Sequence, residues 1–324
     1  MKTVSVIDTS VNNYNLGNLI IMDSINNIFD EIFSNDFIFK IQASENHGKT
    51  AVRNLLKSDL VFFGGTNALT SNINKEKYIG FSLNNLLRFN TLILLGVGWW
   101  QYQKKPNSYS RFFLKRLLDD SKLHSVRDSH TESMLRSIGI NNVLNTSCPT
   151  TWDLDENHCK NIPSLRSDGV IFTLTDYNKN PKLDFNFIQI LQSAYSKIFF
   201  WPQGEGDINY LSSLNVDEGN KIIILPPNLR SFNSLLNNYE LDYIGTRLHA
   251  GIRALQYKKR SLILSIDNRS TEIANDININ ICSRSDAEGI KFFIENKIDM
   301  NIKIRKSQIE IWKNQFVFQN KDSL

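Results

Sequence analysis

Asp242-Tyr243-Ile244-Gly245-Thr246-Arg247-Leu248-His249-Ala250-Gly251, continued by Ile252-Arg253-Ala254-Leu255, is the stretch that decides how this chain is read. Leu241 to Ile244 forms a short apolar run suited to a buried strand, Gly245 a turn, and the remainder a helix whose apolar face is Leu248, Ile252 and Leu255. Arg247 falls on the turn and His249 on the first helical turn, so both can point into the space above the strand's carboxyl end. In open α/β sheets that crevice is where ligands bind. A helix start adds N–H groups without intrahelical partners and a positive dipole end, which suit an anion. An arginine and a titratable imidazole beside such a place make a candidate active centre. The competing expectation is structural: Arg247 paired with a carboxylate such as Asp242, and His249 satisfied in the core or at the surface.

Working outward, the first half alternates apolar β-rich runs with amphipathic stretches. Strands are expected at Thr3–Asp8, Phe37–Gln42, Leu60–Phe63, Leu92–Leu95 and Leu123–Val126. Helices are expected near Asn18–Phe33, Thr50–Lys57, Ser82–Phe89, Ser110–Asp119 and Thr131–Ile138. That rhythm means βαβ units and a mainly parallel sheet. The loop after the first strand, Asn12-Asn13-Tyr14-Asn15-Leu16-Gly17-Asn18, lacks the G-x-G-x-x-G spacing of a dinucleotide site. Strand ends then carry Gly64-Gly65-Thr66-Asn67, Gly96-Val97-Gly98-Trp99-Trp100 and Arg127-Asp128. Paired glycines let a backbone approach a ligand closely, or simply form a tight strand-to-helix turn.

Residues 153–168 turn polar and are expected to be a solvated linker, within which Asp153-Leu154-Asp155 lacks the apolar strand that a metal-binding D-x-D pair follows. The rhythm then restarts. Strands are expected at Gly169–Leu174, Lys197–Trp201, Lys221–Leu225, Leu241–Ile244 and Leu262–Ile266, with helices near Asn186–Tyr195, Leu229–Leu236, Leu248–Tyr257 and Ser270–Ala274. Loops at strand ends here include Trp201-Pro202-Gln203-Gly204-Glu205-Gly206-Asp207 and Asp267-Asn268-Arg269-Ser270. The expected fold is α/β, two such sheets facing across a cleft. Near the end, Ile309, Trp312 and Phe316 share one helical face, expected to dock back on the first domain, with peripheral membrane contact as the alternative.

Composition narrows the function classes. The chain has 324 residues, 41% hydrophobic and 22% charged, the balance of a globular protein and long enough for two domains. No apolar run approaches the roughly 18 residues of a membrane helix. The start, Met1 to Asp8, meets an acid too early for the apolar core of a signal peptide, so a cytoplasmic protein is expected. The net charge of +4 is spread out and does not form the dense stripe that nucleic acid calls for. Cys148, Cys159 and Cys282 are too scattered for a disulfide framework, and His158-Cys159 has no second pair at ligand spacing, so no metal is expected.

Several pieces taken in order resemble the polysaccharide pyruvyl transferase family. They are Tyr14-Asn15-Leu16-Gly17, Gly64-Gly65, Gly96-Val97-Gly98, Val126-Arg127-Asp128 with Gly139-Ile140 beyond it, and Ile244-Gly245-Thr246-Arg247-Leu248-His249-Ala250. Together they span about residues 3 to 275, and the last piece is the specific one. The chain departs from the family pattern at Asn18, where an aspartate is usual, after Gly65, where a third glycine is usual, and at Cys148-Pro149, often Asp-Pro. Arg269 stands where a lysine is common, which keeps the charge but exchanges a point charge for a planar fork.

The resemblance implies a GT-B-like arrangement of two Rossmann-like domains with the active site between them. On that basis residues 1–160 form an N-terminal domain on the acceptor side that shares the donor site, 161–300 a donor-side domain, and 301–324 the docking helix. It implies transfer of the enolpyruvyl unit of phosphoenolpyruvate to a sugar as a cyclic ketal, with no cofactor. The acceptor is left open between lipid-linked and nucleotide-linked sugars, a lipid-linked one placing the protein at the inner face of the membrane. Arg127, His249 and Arg269 are the implied donor-site and catalytic residues, with Arg247, Gly64, Gly65, Asn15, Asn18 and Gln203 as candidate substrate contacts. A phosphate and a carboxylate on one small skeleton call for two or three cations, preferably forked, and an imidazole can move protons near neutral pH. A GT-B glycosyltransferase using a nucleotide sugar and a non-catalytic carbohydrate-binding or assembly protein are the alternatives.

Overall fold

The computed structural model describes residues 1–43, 48–75, 91–216 and 222–317. The helix expected at Ser82–Phe89 lies outside them. The chain divides into two compact units: Met1–Asn13, Ile21–Trp152 and Arg305–Leu324 in one, Tyr14–Ile20 and Asp153–Ile304 in the other.

In the first unit, β1 (Thr3–Asp8), β2 (Phe37–Gln42), β3 (Leu60–Gly64) and β4 (Leu92–Leu95) form a parallel sheet in the order β2-β1-β3-β4. Strands β3 and β4 are buried along their whole length, as parallel strands covered on both faces must be. A parallel pair, β5 (His124–Val126) and β6 (Val143–Asn145), continues beyond β4 through Gly96 N–H to Ser125 O at 3.0 Å and the bridge of Val97 with Val126. The strand β6 was not expected, because its only apolar residues, Val143 and Leu144, are flanked by Asn141, Asn142 and Asn145.

Helix α1 (Leu16–Ile32) covers this sheet with Ile21, Met22, Ile25 and Phe29. The other α-helices of the unit among the described residues are α2 (Lys49–Lys57), α3 (Ser108–Leu117), α4 (Ser129–Ser137) and the last of the chain. That last helix, Lys306–Val317, puts Ile309, Trp312 and Phe316 into the same core, where Phe316 meets Phe62 at 5.3 Å and Trp312 meets Trp152 at 5.8 Å. Lys313 pairs with Glu31 at 2.7 Å, and Gln315 exchanges two hydrogen bonds with the backbone of Leu123. The apolar stripe that could have met a membrane is therefore spent inside the protein.

The second unit holds β7 (Gly169–Thr173), β8 (Lys197–Phe200), β9 (Ile222–Ile224), β10 (Leu241–Gly245), β11 (Ser261–Ser265) and β12 (Ile281–Ser283). They form one parallel sheet in the order β12-β11-β10-β7-β8-β9. The chain builds outward from β7 to β9, returns to β10 and builds the other way, which is the doubly wound order of a Rossmann sheet. The reversal point, where adjacent connections leave to opposite faces and a crevice opens, lies between β7 and β10.

Two expectations change here. The residues expected to be a solvated linker contain α5 (Glu156–Cys159) and bury Leu154, Cys159 and Ile162. Polar residues outnumber apolar ones there, but the few apolar ones are the anchors. The helix after β10, α6 to α8 being Pro181–Ala194, Asp207–Ser213 and Leu229–Asn238, is α9 (Leu248–Gln256), and it buries every residue from Leu248 to Leu255 rather than one stripe. The unit closes with α10 (Asn268–Ile277) and α11 (Ala287–Glu295).

Candidate functional site

The carboxyl ends of β7 and β10 place Thr173-Leu174-Thr175-Asp176-Tyr177 beside Gly245-Thr246-Arg247-Leu248-His249. Thr175 and Thr246 join their hydroxyls at 2.8 Å, and Thr246 N–H donates to Thr173 O, so the two loops are tied before either meets a ligand. Arg247 is the N-cap residue of α9 and gives it no side-chain cap. His249 sits in the helix's first turn, 7% exposed.

Arg247 is held on all sides. Its Nε donates to Leu174 O at 2.9 Å, and its Nη2 donates to Asp207 Oδ1 at 2.6 Å and to Asp176 Oδ1 at 3.0 Å. Its guanidinium carbon lies 5.1 Å from the centre of the Tyr177 ring. Asp207 also accepts the N–H groups of Asp176, Gln203 and Gly204. Burial pushes the Asp207 carboxyl upward, opposed by Arg247 and by the Gly204 and Asp176 N–H groups. With both oxygens accepting only from donors, the geometry holds the carboxylate. Asp242, considered above as a counter-ion for Arg247, belongs elsewhere: it accepts from Arg260 at 2.9 Å and Tyr195 at 2.7 Å. The structural expectation for Arg247 was right in kind and wrong in partner.

Tyr177 links Arg247 to Arg269. The Arg269 Nη2 donates to Tyr177 Oη at 2.5 Å and its Nε to Asp267 Oδ2 at 2.9 Å, while about a quarter of the side chain stays exposed. On the other flank, Gly204 lies against the Arg247 guanidinium so closely that a Cβ would strike it. Gln203, just before, donates its Nε2 to Asn15 Oδ1 at 2.9 Å and accepts the Leu16 N–H on its backbone oxygen at 3.0 Å. Asn15 Oδ1 also accepts from Gly17 N–H, and Asn18 N–H donates to Asn15 O. Asn18 therefore takes part in the turn that starts α1 through its backbone. The second unit thus links Arg247, Arg269, Gln203, Asn15 and Asn18 in one set of contacts around the β7 and β10 ends, with His249 two residues from Arg247.

The first unit holds the remaining candidates. Arg127 follows β5 and is 2% exposed. Its Nε donates to Asp128 Oδ2 at 3.3 Å, and its Nη2 donates to Asn67 Oδ1. Asp128 is the N-cap of α4, accepting from the Thr131 N–H at 2.7 Å and hydroxyl at 2.6 Å. Gly98 makes room for this arrangement, since a Cβ there would run into the guanidinium and Asn67 Oδ1. Cys148, at the position where the resemblance favours an aspartate, is a buried thiol whose pKa burial pushes up, more than Thr150 and Arg127 pull it down.

Gly64 and Gly65 answer to a different need. Gly65 has φ +65°, and a Cβ there would collide with Ile21 of α1; at Gly64 one would meet Ile25 and Met22 at 3.0 Å. Of the two meanings open to the pair, the tight turn under a packed helix is the one these contacts favour.

Asp176, Tyr177 and Asp207 carry much of this geometry without having been given a role from sequence. Their only signal was position, in loops just after the expected strands Gly169–Leu174 and Lys197–Trp201.

Comparison with known proteins then places the chain. The family model described as "Polysaccharide pyruvyl transferase" matches residues 15–268. The chain belongs to the polysaccharide pyruvyl transferase family. Its match takes in every candidate residue named above except Arg269, which follows its end directly. No curated protein sequence matches. Among solved structures, the UDP-GlcNAc 2-epimerase of Methanocaldococcus jannaschii, in complex with UDP-GlcNAc and UDP, is similar at 14% identity and a TM-score of 0.55, covering 97% of this chain and 99% of that one. S. aureus MnaA in its co-structure with UDP is similar at 12% identity and a TM-score of 0.57, covering 99% and 97%. At such identities the likeness establishes the fold, and this pyruvyl transferase family member is an α/β protein of GT-B-like type with two Rossmann-like units.

Proposed function

We propose that the protein transfers the enolpyruvyl unit of phosphoenolpyruvate to two hydroxyls of a sugar, forming a cyclic ketal and releasing phosphate. The observation that carries this is the family match, whose span includes the Arg247-Leu248-His249 turn at the reversal point of a Rossmann sheet. In the proposed reaction His249 gives a proton to the methylene carbon, which becomes the methyl group. One sugar hydroxyl adds to the neighbouring carbon, the C–O bond to phosphate breaks, and the second hydroxyl adds in its place. One hydroxyl proton replenishes the imidazole and the other leaves with phosphate, so the atoms balance. Arg127 and Arg269 serve as forked cations for the donor's phosphate and carboxylate. Arg247, already facing two carboxylates, is assigned to holding the β7 and β10 loops instead of the donor.

The acceptor is proposed to be a sugar of a cell-surface polysaccharide or its precursor, and the reaction is placed in the cytoplasm. A lipid-linked acceptor would bring it to the inner face of the membrane. No helix among the described residues is long and apolar enough to cross a membrane. The test is phosphate release from phosphoenolpyruvate across a panel of lipid-linked and nucleotide-linked sugars, with mass spectrometry of the product. A gain of the mass of a pyruvyl ketal is the expected result. Release of a nucleoside diphosphate without use of phosphoenolpyruvate would replace this reaction with glycosyl transfer.

A further inference from the structure

Asn67 is 8% exposed and occupies the turn after β3, behind Thr66 at φ +59°. A β-branched residue in the left-handed region is an outlier that costs on the order of 1–3 kcal/mol unless its surroundings fix it. Thr66 O accepts the Gly98 N–H at 2.8 Å, which locks the turn against the very glycine that makes space for the Arg127 guanidinium. What this strained turn delivers is one group, the amide oxygen of Asn67, to Arg127 Nη2.

The charge count around Arg127 makes the choice of an amide informative. Its one carboxylate partner among the described residues, Asp128, is already drawn upon by the Thr131 N–H and hydroxyl and by the positive end of the α4 dipole. Cys148 beside it is a protonated thiol. An arginine meant only for structure could take a carboxylate at position 67, as Arg247 takes both Asp176 and Asp207. We infer that Asn67 is a positioning and specificity residue for Arg127: it aims the guanidinium without cancelling its charge and so keeps it a receptor for an anionic group of the donor. This rests on the assignment of Arg127 to the donor site under the proposed function.

The experiment is a calorimetric titration of phosphoenolpyruvate into the parent and into Arg127→Ala, Asn67→Ala and Asn67→Asp, each with its thermal midpoint. An aspartate next to Arg127 stays ionised and holds the fork at least as firmly as the amide. If holding the fork were all that Asn67 did, Asn67→Asp would bind like the parent and better than Asn67→Ala. The inference requires the opposite order. Asn67→Ala is expected to weaken affinity about fivefold through lost orientation, and Asn67→Asp about fiftyfold through lost charge, with a midpoint no lower than that of Asn67→Ala. Asn67→Asp binding as well as or better than Asn67→Ala, while Arg127→Ala has lost binding, overturns the inference and leaves the donor-site assignment standing. Normal binding by Arg127→Ala removes that assignment and the inference with it. Should Asn67→Asp not fold, Asn67→Ala still decides: affinity equal to the parent's overturns the inference, and a fall in affinity at unchanged turnover under saturating donor supports it.

Discussion

Arg127 and Arg247 are both nearly fully buried arginines at the carboxyl ends of parallel strands, and their surroundings differ in one respect. Arg247 faces two carboxylates, a backbone carbonyl and a tyrosine ring, so the protein supplies more negative charge than the guanidinium carries. Arg127 faces one carboxylate that also caps a helix, and a neutral amide. A buried cation whose counter-charges are built in belongs to the scaffold; one left short of negative charge can accept it from a ligand. Backbone strain follows the same division. In the first unit the described non-glycine residues with positive φ, Asn12, Thr66, Gln101 and Ser147, all lie in loops that leave strand ends. In the second unit Asn215, Lys258 and Asn278 lie at helix carboxyl ends, where a left-handed residue is the ordinary way to stop a helix.

The comparison breaks most directly at Arg247. Arg247→Ala strands the fully buried Asp207 and unties the β7 and β10 loops, so a loss of about 3–5 kcal/mol in unfolding free energy is expected, the usual result of removing one partner of a buried pair. Arg127→Ala should cost clearly less stability by the same denaturant titration. If the two losses come out equal, Arg127 is scaffold too and the distinction collapses.

The first unit is not free of built-in satisfaction, and His124 measures it. Its Nδ1 accepts the Leu94 N–H at 3.2 Å and its Nε2 donates to Asp119 O at 2.9 Å, which fixes the neutral tautomer. Burial lowers its pKa to about 4, against smaller raising effects of the Asp119 hydrogen bond and charge. Between that value and the ordinary value near 6.5 the unfolded chain binds a proton that the folded one refuses. Stability from His124 is thus complete above about pH 6.5 and declines as pH falls toward about 4, by on the order of 3 kcal/mol. Urea titrations from pH 7 to 4 should show that slope for the parent and a shallower one for His124→Gln. Equal slopes would mean that the ring titrates normally.

His249 sharpens the comparison on the side of chemistry, since it stands next to the scaffold arginine yet is assigned the proton transfer. His249→Ala and His249→Gln should turn over at least about a hundredfold more slowly, the usual size of a lost general acid, and bind phosphoenolpyruvate within about tenfold of the parent. Phosphate release at saturating substrates paired with calorimetry separates the two quantities. Normal turnover in either variant, with the fold intact by circular dichroism, takes His249 out of the mechanism.

The smallest effect concerns Thr66. Thr66→Gly relieves the left-handed strain and should raise unfolding free energy by about 1 kcal/mol, offset in part by the freedom glycine adds to the unfolded chain. Because the turn then holds Asn67 less firmly, donor affinity should not improve. A destabilised Thr66→Gly would show that the threonine side chain matters more than its backbone does.

The alternation of strands and helices, the restart after residue 168 and the place of Arg247 and His249 at a strand's carboxyl end were all legible in the chain. They depend on local periodicity, and runs such as Leu60–Phe63 and Leu241–Ile244 carry enough apolar residues to show it. Strands β6 and β12 do not, because Val143-Leu144 and Ile281-Cys282 are each only two apolar residues in a row between polar neighbours.

Which groups each arginine faces was decided only by tertiary structure. The carboxylate partners of Arg247 stand 71 and 40 positions away, at Asp176 and Asp207, and the amide partner of Arg127 stands 60 away, at Asn67. They meet because β7 lies between β10 and β8, and because β3, β4 and β5 lie side by side, an order that depends on how crossovers pack. Gly64-Gly65 makes the same point: a missing Cβ serves a ligand and a packed helix equally well, and the position of Ile21 against Gly65 is what distinguishes them. Sequence determined which residues stand at the strand ends. Charge balance among them was decided by folding, since burial turns each added or missing carboxylate into a large difference in what an arginine can still bind.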